Sequence, residues 1–527
     1  MIRPGVPRRL LALLVSLVSL SFAAPAVRAN VALPSMLTSH MVLQRDREVP
    51  IWGWAEPSER VTVSFAGQSV STQADAEGNW MVKLKPMAAS AESRSMTIQG
   101  ANQVVLEDVL VGEVWVCSGQ SNMQWAVNDS WNADLTVLSA KNPQIRLVTI
   151  ENMGVQVPLQ DFQGGWQVCS PETVGGFSAV GYNFGLHLQQ VLGVPVGLID
   201  NAWGGSSCEA WIERDRMGGD AEHYGPLMQK WADTEAQPEM KSSYEAYEQA
   251  LLVWQKEAIA AKKAGQEVPR QPAPPNNPMV TQHRPGNLLN GRVHPIMPFA
   301  IRGAIWYQGE SNAGRAYQYR HMFPLMVQNW REAWGQGDFP FYWVQLADFQ
   351  AEPAGPSEST WAELREAQTM AVQALPHSGQ AVIIDLGEAA DIHPRNKAEV
   401  AKRLARLALA QDYGVSIVHR SPRYASMETQ GNKIVVSFED RGGGIRTVDK
   451  HDVVGFWIAG EDRQWKVAQA KVVDGQKVEV WSDEVAKPVA VRYAWADNPV
   501  CNLFNAEGLP VTPFRTDDWP GITADAK

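Results

Sequence analysis

Between residues 107 and 411 the chain alternates short runs of consecutive apolar residues with amphipathic stretches. No other feature narrows the possible folds as much. The runs fall at 109–117, 145–150, 194–199, 301–307, 341–346 and 381–386. Stretches at about 178–192, 314–334, 359–375 and 395–411 carry apolar residues at helical spacing. In the last of these, Val400, Leu404 and Leu407 stand at i, i+4 and i+7. A strand that is apolar at every position is buried on both faces. Strands of this kind separated by helices predict an α/β domain, a parallel sheet covered by helices on both sides. A polar helix is expected at 242–264. The Pro-rich stretch after it, 269–285, reads as irregular surface chain, so about 215–285 is taken as an insertion.

The flanks have a different texture. Short β-rich runs at 49–54, 61–65, 80–84 and 95–99 are separated by turn signals such as Ala55-Glu56-Pro57 and Glu77-Gly78-Asn79. They predict a small β-sandwich. Runs at 433–438, 453–458, 464–472 and 478–481 predict a second sandwich or a jelly roll. The expected organisation is a leader at 1–29, an N-terminal β domain at 30–106, the α/β domain at 107–411 and a C-terminal β domain at 412–527.

The leader reads as a secretory signal. Arg8 and Arg9 precede an apolar stretch at 10–22, and Val27-Arg28-Ala29 places small residues at −3 and −1. Cleavage is expected after Ala29, and the product is expected in a periplasm or outside the cell. The apolar stretch is shorter than the roughly 20 residues of a membrane span, so no membrane contact is expected after cleavage. The chain holds 46 Lys+Arg against 57 Asp+Glu, a net charge of −11. The leader contributes Arg3, Arg8, Arg9 and Arg28 and no acid, so the remainder is more acidic still. Such a balance excludes an electrostatic grip on nucleic acid or anionic lipid. Cys117, Cys169, Cys208 and Cys501 show no CxxC or zinc-type spacing. Three disulfide pairings and buried free thiols all remain open. Trp is abundant, with 21 residues against 14 Phe and 11 Tyr. Trp serves both as core filler and as a stacking face for sugars.

In an open parallel sheet, sites form at the carboxyl ends of strands. Four polar segments follow the predicted strands. Gly119-Gln120-Ser121-Asn122-Met123 comes after 109–117. It puts a hydroxyl at a helix start, where N–H groups face incoming negative charge. A serine there is equally the ordinary N-cap. Trp203-Gly204-Gly205-Ser206 comes after 194–199 and offers backbone N–H groups where a ligand can approach closely. Trp306-Tyr307-Gln308-Gly309-Glu310-Ser311-Asn312 ends the 301–307 run. Gln308 or Asn312 is its candidate amide donor to an oxyanion, and Glu310 its candidate organiser of local hydrogen bonds. Asp391-Ile392-His393-Pro394 comes after 381–386, with His393 as general base and Asp391 as its orienting acid. Together these place a nucleophile, oxyanion donors and a base–acid pair at one sheet edge. The pattern points to a hydrolase. The chain has no G-x-S-x-G, which excludes a lipase-type nucleophile elbow.

These blocks resemble the sialate O-acetylesterase family of the SGNH hydrolases. The resemblance runs through Gly112-Glu113-Val114-Trp115, Gly119-Gln120-Ser121-Asn122-Met123, Asn201-Ala202-Trp203-Gly204-Gly205 with Glu209-Ala210-Trp211, the 306–312 segment and Asp391-Ile392-His393-Pro394. The stretch 36–44 is similar to the family's N-terminal β segment. The resemblance implies a three-layer α/β/α domain and cofactor-free hydrolysis of acetyl esters on sugar hydroxyls. It implies Ser121 as nucleophile and His393 as base. Gly204 or Gly205 and Gln308 would supply the oxyanion hole, with Asn312 as the alternative to Gln308. Related enzymes place Asp three residues before His, whereas Asp391 is two before, so the site reads as a triad or as a Ser–His dyad. The implied substrate is O-acetylated sialic acid or an acetylated hemicellulose such as xyloglucan or xylan. A non-catalytic carbohydrate-binding surface protein and an esterase for longer acyl chains are the competing readings.

Overall fold

The computed structural model describes Met1, Gly5 and residues 30–527. The expected leader, with its cleavage point after Ala29, lies outside the described residues.

The sheet predicted from the apolar runs is present, with seven strands. From one edge the order is Ser378–Ala381, Phe341–Val344, Gly303–Tyr307, Gln103–Gly119, Val196–Ala202, Asn142–Thr149 and Gln167–Cys169. The first six run parallel, and Gln167–Cys169 pairs antiparallel at the far edge. That short edge strand is an addition to the expected parallel sheet. Successive residues point to opposite faces, and both faces are apolar. Val114, Val116, Ala304, Trp306, Phe341 and Trp343 pack against helices Ala316–Trp334 and Thr360–Ala374. Trp115, Cys117, Ile305, Tyr307, Tyr342 and Val344 pack against Ala179–Leu192 and Lys397–Gln411. The Val400, Leu404 and Leu407 stripe lies in this second cluster. Trp211, Trp306 and Trp330 pack on one another with ring centroids 5.6–6.0 Å apart. Much of the Trp surplus is therefore core.

The Gln103–Gly119 strand, 17 residues long, serves two sheets. Its first half pairs antiparallel with Ser90–Gln99, and Leu110–Gly112 pairs with Val42–Gln44. From Glu113 onward it lies between Val196–Ala202 and Gly303–Tyr307. The strand thus runs through position 106/107, and one apolar cluster extends from Ile51 and Val63 to Trp306 and Trp330. At its midpoint Glu113 is fully buried. It accepts from Gln44 Nε2 at 3.0 Å and from Arg302 Nε at 2.8 Å, and it also pairs with Arg45. Burial alone would raise its pKa. The bonds from Arg302, Gln44 and Arg45 outweigh that and hold the carboxyl below its usual range.

The remaining N-terminal strands are Val49–Trp54 paired with Asn79–Leu84, and Arg60–Phe65 paired with Gln68–Gln73 and Ser90–Gln99. Near the C-terminus, two four-stranded antiparallel sheets enclose one apolar cluster, as in a sandwich. One holds Arg423–Gln430, Lys433–Glu439, Lys477–Trp481 and Gln469–Val473. The other holds Lys466–Val467, Phe456–Ala459, Ala490–Tyr493 and Phe514–Arg515. The insertion carries the expected polar helix, Pro238–Ala264, and a second helix, Ala221–Glu235, that the sequence reading missed. Cys117, Cys169 and Cys208 are buried, Cys501 is half-buried, and all four are free thiols.

The run at 381–386 is displaced from expectation: the edge strand is Ser378–Ala381. Beyond it Ile383 enters the sheet's core, while Val382 and Ile384 enter the C-terminal core. These residues are apolar because they bridge two cores, not because they continue the ladder. The chain then forms a loop tied to its neighbours by main-chain and side-chain bonds. Gly387 N donates to Asp348 Oδ1 (2.6 Å) and Gln350 N to Ala389 O (3.1 Å). Phe349 N donates to Asp497 O (3.1 Å) and Asn498 Nδ2 to Gln350 O (2.7 Å).

Arg365 joins two of these regions, 346–347 and 496–497. It is fully buried and donates to Leu346 O (2.9 Å), Ala347 O (2.7 Å), Ala496 O (2.6 Å) and Asp497 O (2.8 Å). Replacing it leaves Leu346 O and Ala496 O without a donor and takes one of two donors from Ala347 O and Asp497 O, which keep Trp361 Nε1 and Phe349 N. Arg365→Leu is expected to lose about 3 kcal/mol or more of stability. Urea unfolding followed by Trp fluorescence checks this, and an unmoved midpoint contradicts it.

Candidate active site

The site begins where the Gln103–Gly119 strand ends. Gly119 has φ +131°, and a Cβ there would lie 2.2 Å from the Tyr307 carbonyl oxygen. Only glycine fits. Gln120 N donates to that same oxygen at 2.9 Å. The chain then enters the single helical turn Ser121–Gln124. Gln120, in extended backbone, takes the N-cap position without a side-chain cap bond. Ser121 is therefore not the cap residue. Its Oγ lies 2.8 Å from His393 Nε2.

His393 sits on the braced loop beyond the edge strand. Asp391 Oδ1 accepts from the His393 main-chain N–H at 2.8 Å and lies 3.5 Å from Nδ1. The two-residue spacing thus gives an Asx-type turn that positions the backbone of His393. The imidazole contact is longer than a good hydrogen bond. The Asp391 side chain is 45% exposed, which weakens its electrostatic influence further. The Trp125 ring stacks on the imidazole, with centroids 4.7 Å apart and planes 14° apart. Burial, and then the Lys397 charge, lower the His393 pKa below the usual imidazole value against the opposing pull of Asp391. The imidazole is neutral at neutral pH and able to accept a proton.

The Trp203-Gly204-Gly205 segment follows Val196–Ala202 and closes against the serine turn. Trp203 N donates to Gly119 O at 3.0 Å. A Cβ on Gly204 would lie 3.4 Å from the Ser121 Cβ. The Gly204 N–H donates to Gln124 Oε1 at 2.8 Å. The Gly205 N–H, at φ +73°, has no acceptor among the described residues.

The two amides expected as oxyanion donors are otherwise engaged. Gln308 is fully buried, and its Nε2 donates to Ser206 O (3.1 Å) and Asn312 Oδ1 (2.7 Å). Asn312 Nδ2 donates to Glu209 Oε2 (2.8 Å), and its Oδ1 accepts from Cys208 N (3.0 Å). A buried amide must satisfy its hydrogens within the protein. Both therefore brace the glycine loop from behind and present no free donor. Glu310 does organise local bonds, as expected, accepting from Asn122 Nδ2 at 2.6 Å.

The structure thus brings Ser121, His393, Asp391, Gly204 and Gly205 together and sets Gln308 and Asn312 behind them. Sequence reasoning missed Trp125, Asn122 as a bonding partner and Lys397. The first followed the serine block by two residues, and the last stood four beyond the histidine. No group of His, Cys, Asp or Glu among the described residues is arranged to hold a metal ion.

A family model for the carbohydrate esterases of the sialic acid-specific acetylesterase type matches residues 111–267 and 287–410. A crystal structure of a carbohydrate acetylesterase from Xanthomonas citri is similar at a TM-score of 0.76 and 36% identity, covering 93% of this chain and 100% of that one. Human sialate O-acetylesterase is 28% identical over 540 residues, covering 92% of this chain and 93% of the human protein. The mouse sialate O-acetylesterase is 27% identical, covering 91% of this chain and 93% of its own. The fold, the order of the site blocks and the matched span together assign the chain to the sialic acid-specific acetylesterase family of carbohydrate esterases.

Proposed function

We propose that this esterase removes acetyl groups from sugar hydroxyls through an acetyl-serine intermediate at Ser121. The observation that carries the reading is the 2.8 Å contact between Ser121 Oγ and His393 Nε2, and burial, by lowering the imidazole pKa, favours the neutral form that can accept a proton. His393 takes the Ser121 proton as Oγ attacks the acetyl carbonyl. The tetrahedral oxyanion is held by the Ser121 N–H, one of the first N–H groups of a helix and so without an intrahelical acceptor, and by the Gly205 N–H. Gln308, through Ser206 O, keeps the glycine loop in register. His393 then gives its proton to the departing sugar oxygen. In the second step His393 deprotonates water, which attacks the acetyl-serine and releases acetate.

For the substrate we favour an acetylated neutral polysaccharide. Trp131 is 52% exposed, and its main-chain N–H donates to Arg395 O (3.0 Å), two residues beyond His393. An exposed aromatic residue anchored to the histidine loop supports this reading, since such a ring can stack on a sugar. The second reading, O-acetylated sialic acid, is favoured by Arg395 itself, whose side chain is 54% exposed and lies 3.8 Å from Glu388 by Nε, so that a substrate carboxylate would compete with that acid for it. The leader-like residues 1–29 support export. No helix among the described residues is long and apolar enough to cross a membrane.

Acetate release from acetylated xyloglucan, acetylated xylan and O-acetylated sialic acid by residues 30–527 tests the reading. Ser121→Ala is expected to lower kcat by on the order of 10⁴–10⁶ while the fold is retained. Substantial hydrolysis by that variant removes Ser121 as nucleophile. Release from sialate alone selects the second substrate reading. Release from none of the three by folded wild-type protein favours a binding role.

Because His393 must be neutral to act, kcat/KM is expected to rise with pH through a midpoint below the usual imidazole value of about 6.5. Asp391 is exposed and distant from Nδ1. Asp391→Asn is therefore expected to cost far less than the roughly 10⁴-fold lost when a buried triad aspartate is replaced. It should also move the midpoint to lower pH, since a negative charge that favours imidazolium is gone. A loss as large as the triad value would show that Asp391 closes onto the imidazole during turnover.

A further inference from the structure

Lys397 opens the Lys397–Gln411 helix and is fully buried, an unusual place for a lysine. Its Nζ donates to Asn122 Oδ1. It also lies 5.2 Å from the centre of the Tyr307 ring and 5.9 Å from that of Trp125, the ring that stacks on His393. Asn122 directly follows Ser121. Its Nδ2 donates to Ile392 O at 3.0 Å, the carbonyl directly before His393, and to Glu310 Oε1 at 2.6 Å. One side-chain amide therefore ties the serine turn, the histidine loop and the 308–312 segment to one another, and the lysine fixes its orientation. Glu310 Oε2 is buried without a partner, so this buried cation is not neutralised by a closed ion pair.

We propose that Asn122 and Lys397 are positioning residues, Asn122 locking the Ser121 turn to the His393 loop and the Lys397 charge disfavouring a proton on His393. The inference rests on reading Ser121 and His393 as nucleophile and base. The groups facing Lys397 are Glu310 from the 308–312 segment, Asp391 and Glu388 from the histidine loop, Tyr307 from the strand, and His393 itself. Burial pushes the lysine down to about 7, against the pull of Glu310, Asp391 and Glu388. In the acidic range where His393 titrates, the ammonium is therefore charged and opposes imidazolium.

The sign follows. Removing the positive charge lets His393 hold its proton to higher pH, so the acid limb of kcat/KM moves up. We expect Lys397→Gln, read with 4-nitrophenyl acetate across the acidic range, to shift the limb upward, and Lys397→Arg to leave it near the wild-type position. Asn122→Ala is expected to lower kcat with the limb in place, since it removes the tie and leaves the charge. If Lys397→Gln does not fold by circular dichroism, Lys397→Met fills the same space without charge and carries the same expectation. A folded, uncharged variant with an unmoved limb overturns the electrostatic role. A folded Asn122→Ala with wild-type kcat overturns the tie. Either failure, beside an inactive Ser121→Ala, leaves the serine reading standing. An active Ser121→Ala removes the reading on which this one rests.

Discussion

The catalytic half of the molecule is built from the approach of two backbones, that of Gly119 to the carbonyl of Tyr307. No side chain fits in the space between them, and Gln120 N–H closes on the same oxygen. The contact makes the central strand stop and turn at a fixed point. The serine turn, the glycine loop bonded to Gly119 O and the segment after Tyr307 all take their positions from it. At the middle of that strand Glu113 gathers Gln44, Arg45 and Arg302, holding the N-terminal β segment and the approach to the neighbouring strand at one charged centre. A single strand thus carries both the scaffold's joint and the site's reference point.

Around this the polar groups fall into two tiers. Those that meet the reacting atoms are few and partly open to solvent. Behind them lie two sets of bonds that meet in the 308–312 segment, Gln308 and Asn312 on the side of the glycine loop and Glu310, Asn122 and Lys397 on the side of the histidine loop. The division follows from desolvation. A buried amide or ammonium is stable only when its hydrogens are received by the protein, so the deeper a polar residue lies, the more it serves as structure.

Much of this could be read from the chain, and what could not has identifiable causes. Apolar runs at 109–117 and 341–346 located strands because both faces of a parallel sheet are buried. The same signal misplaced the edge strand at 381–386, because apolarity reports burial and not hydrogen-bonded pairing. Helix Ala221–Glu235 escaped notice because it is mostly polar and contains Pro226. Gln68–Gln73 escaped because its residues are Gln, Ser, Val and Thr with no buried face. Ser121, His393 and Asp391 were singled out from residue type and position after strands, and the fold brings them together. The direction of the Gln308 and Asn312 amides depends on partners far along the chain, which spacing does not reveal. Lys397 was passed over because lysine is ordinarily a surface residue.

The Ser121–His393 pair rests on two different foundations. Ser121 stands at the centre of the sheet. His393 hangs from an edge where the chain leaves the ladder and leans on the C-terminal β sandwich, through Val382, Ile384 and the bonds linking 387–389, 348–350 and 497–498. The sandwich is in this sense a buttress. Were it pared away in evolution or by a protease, Ser121 would keep its seat and His393 would lose its wall. The two β regions are consequently unequal in kind: one is continuous with the frame of the enzyme, and the other sets the distance between Ser121 and His393.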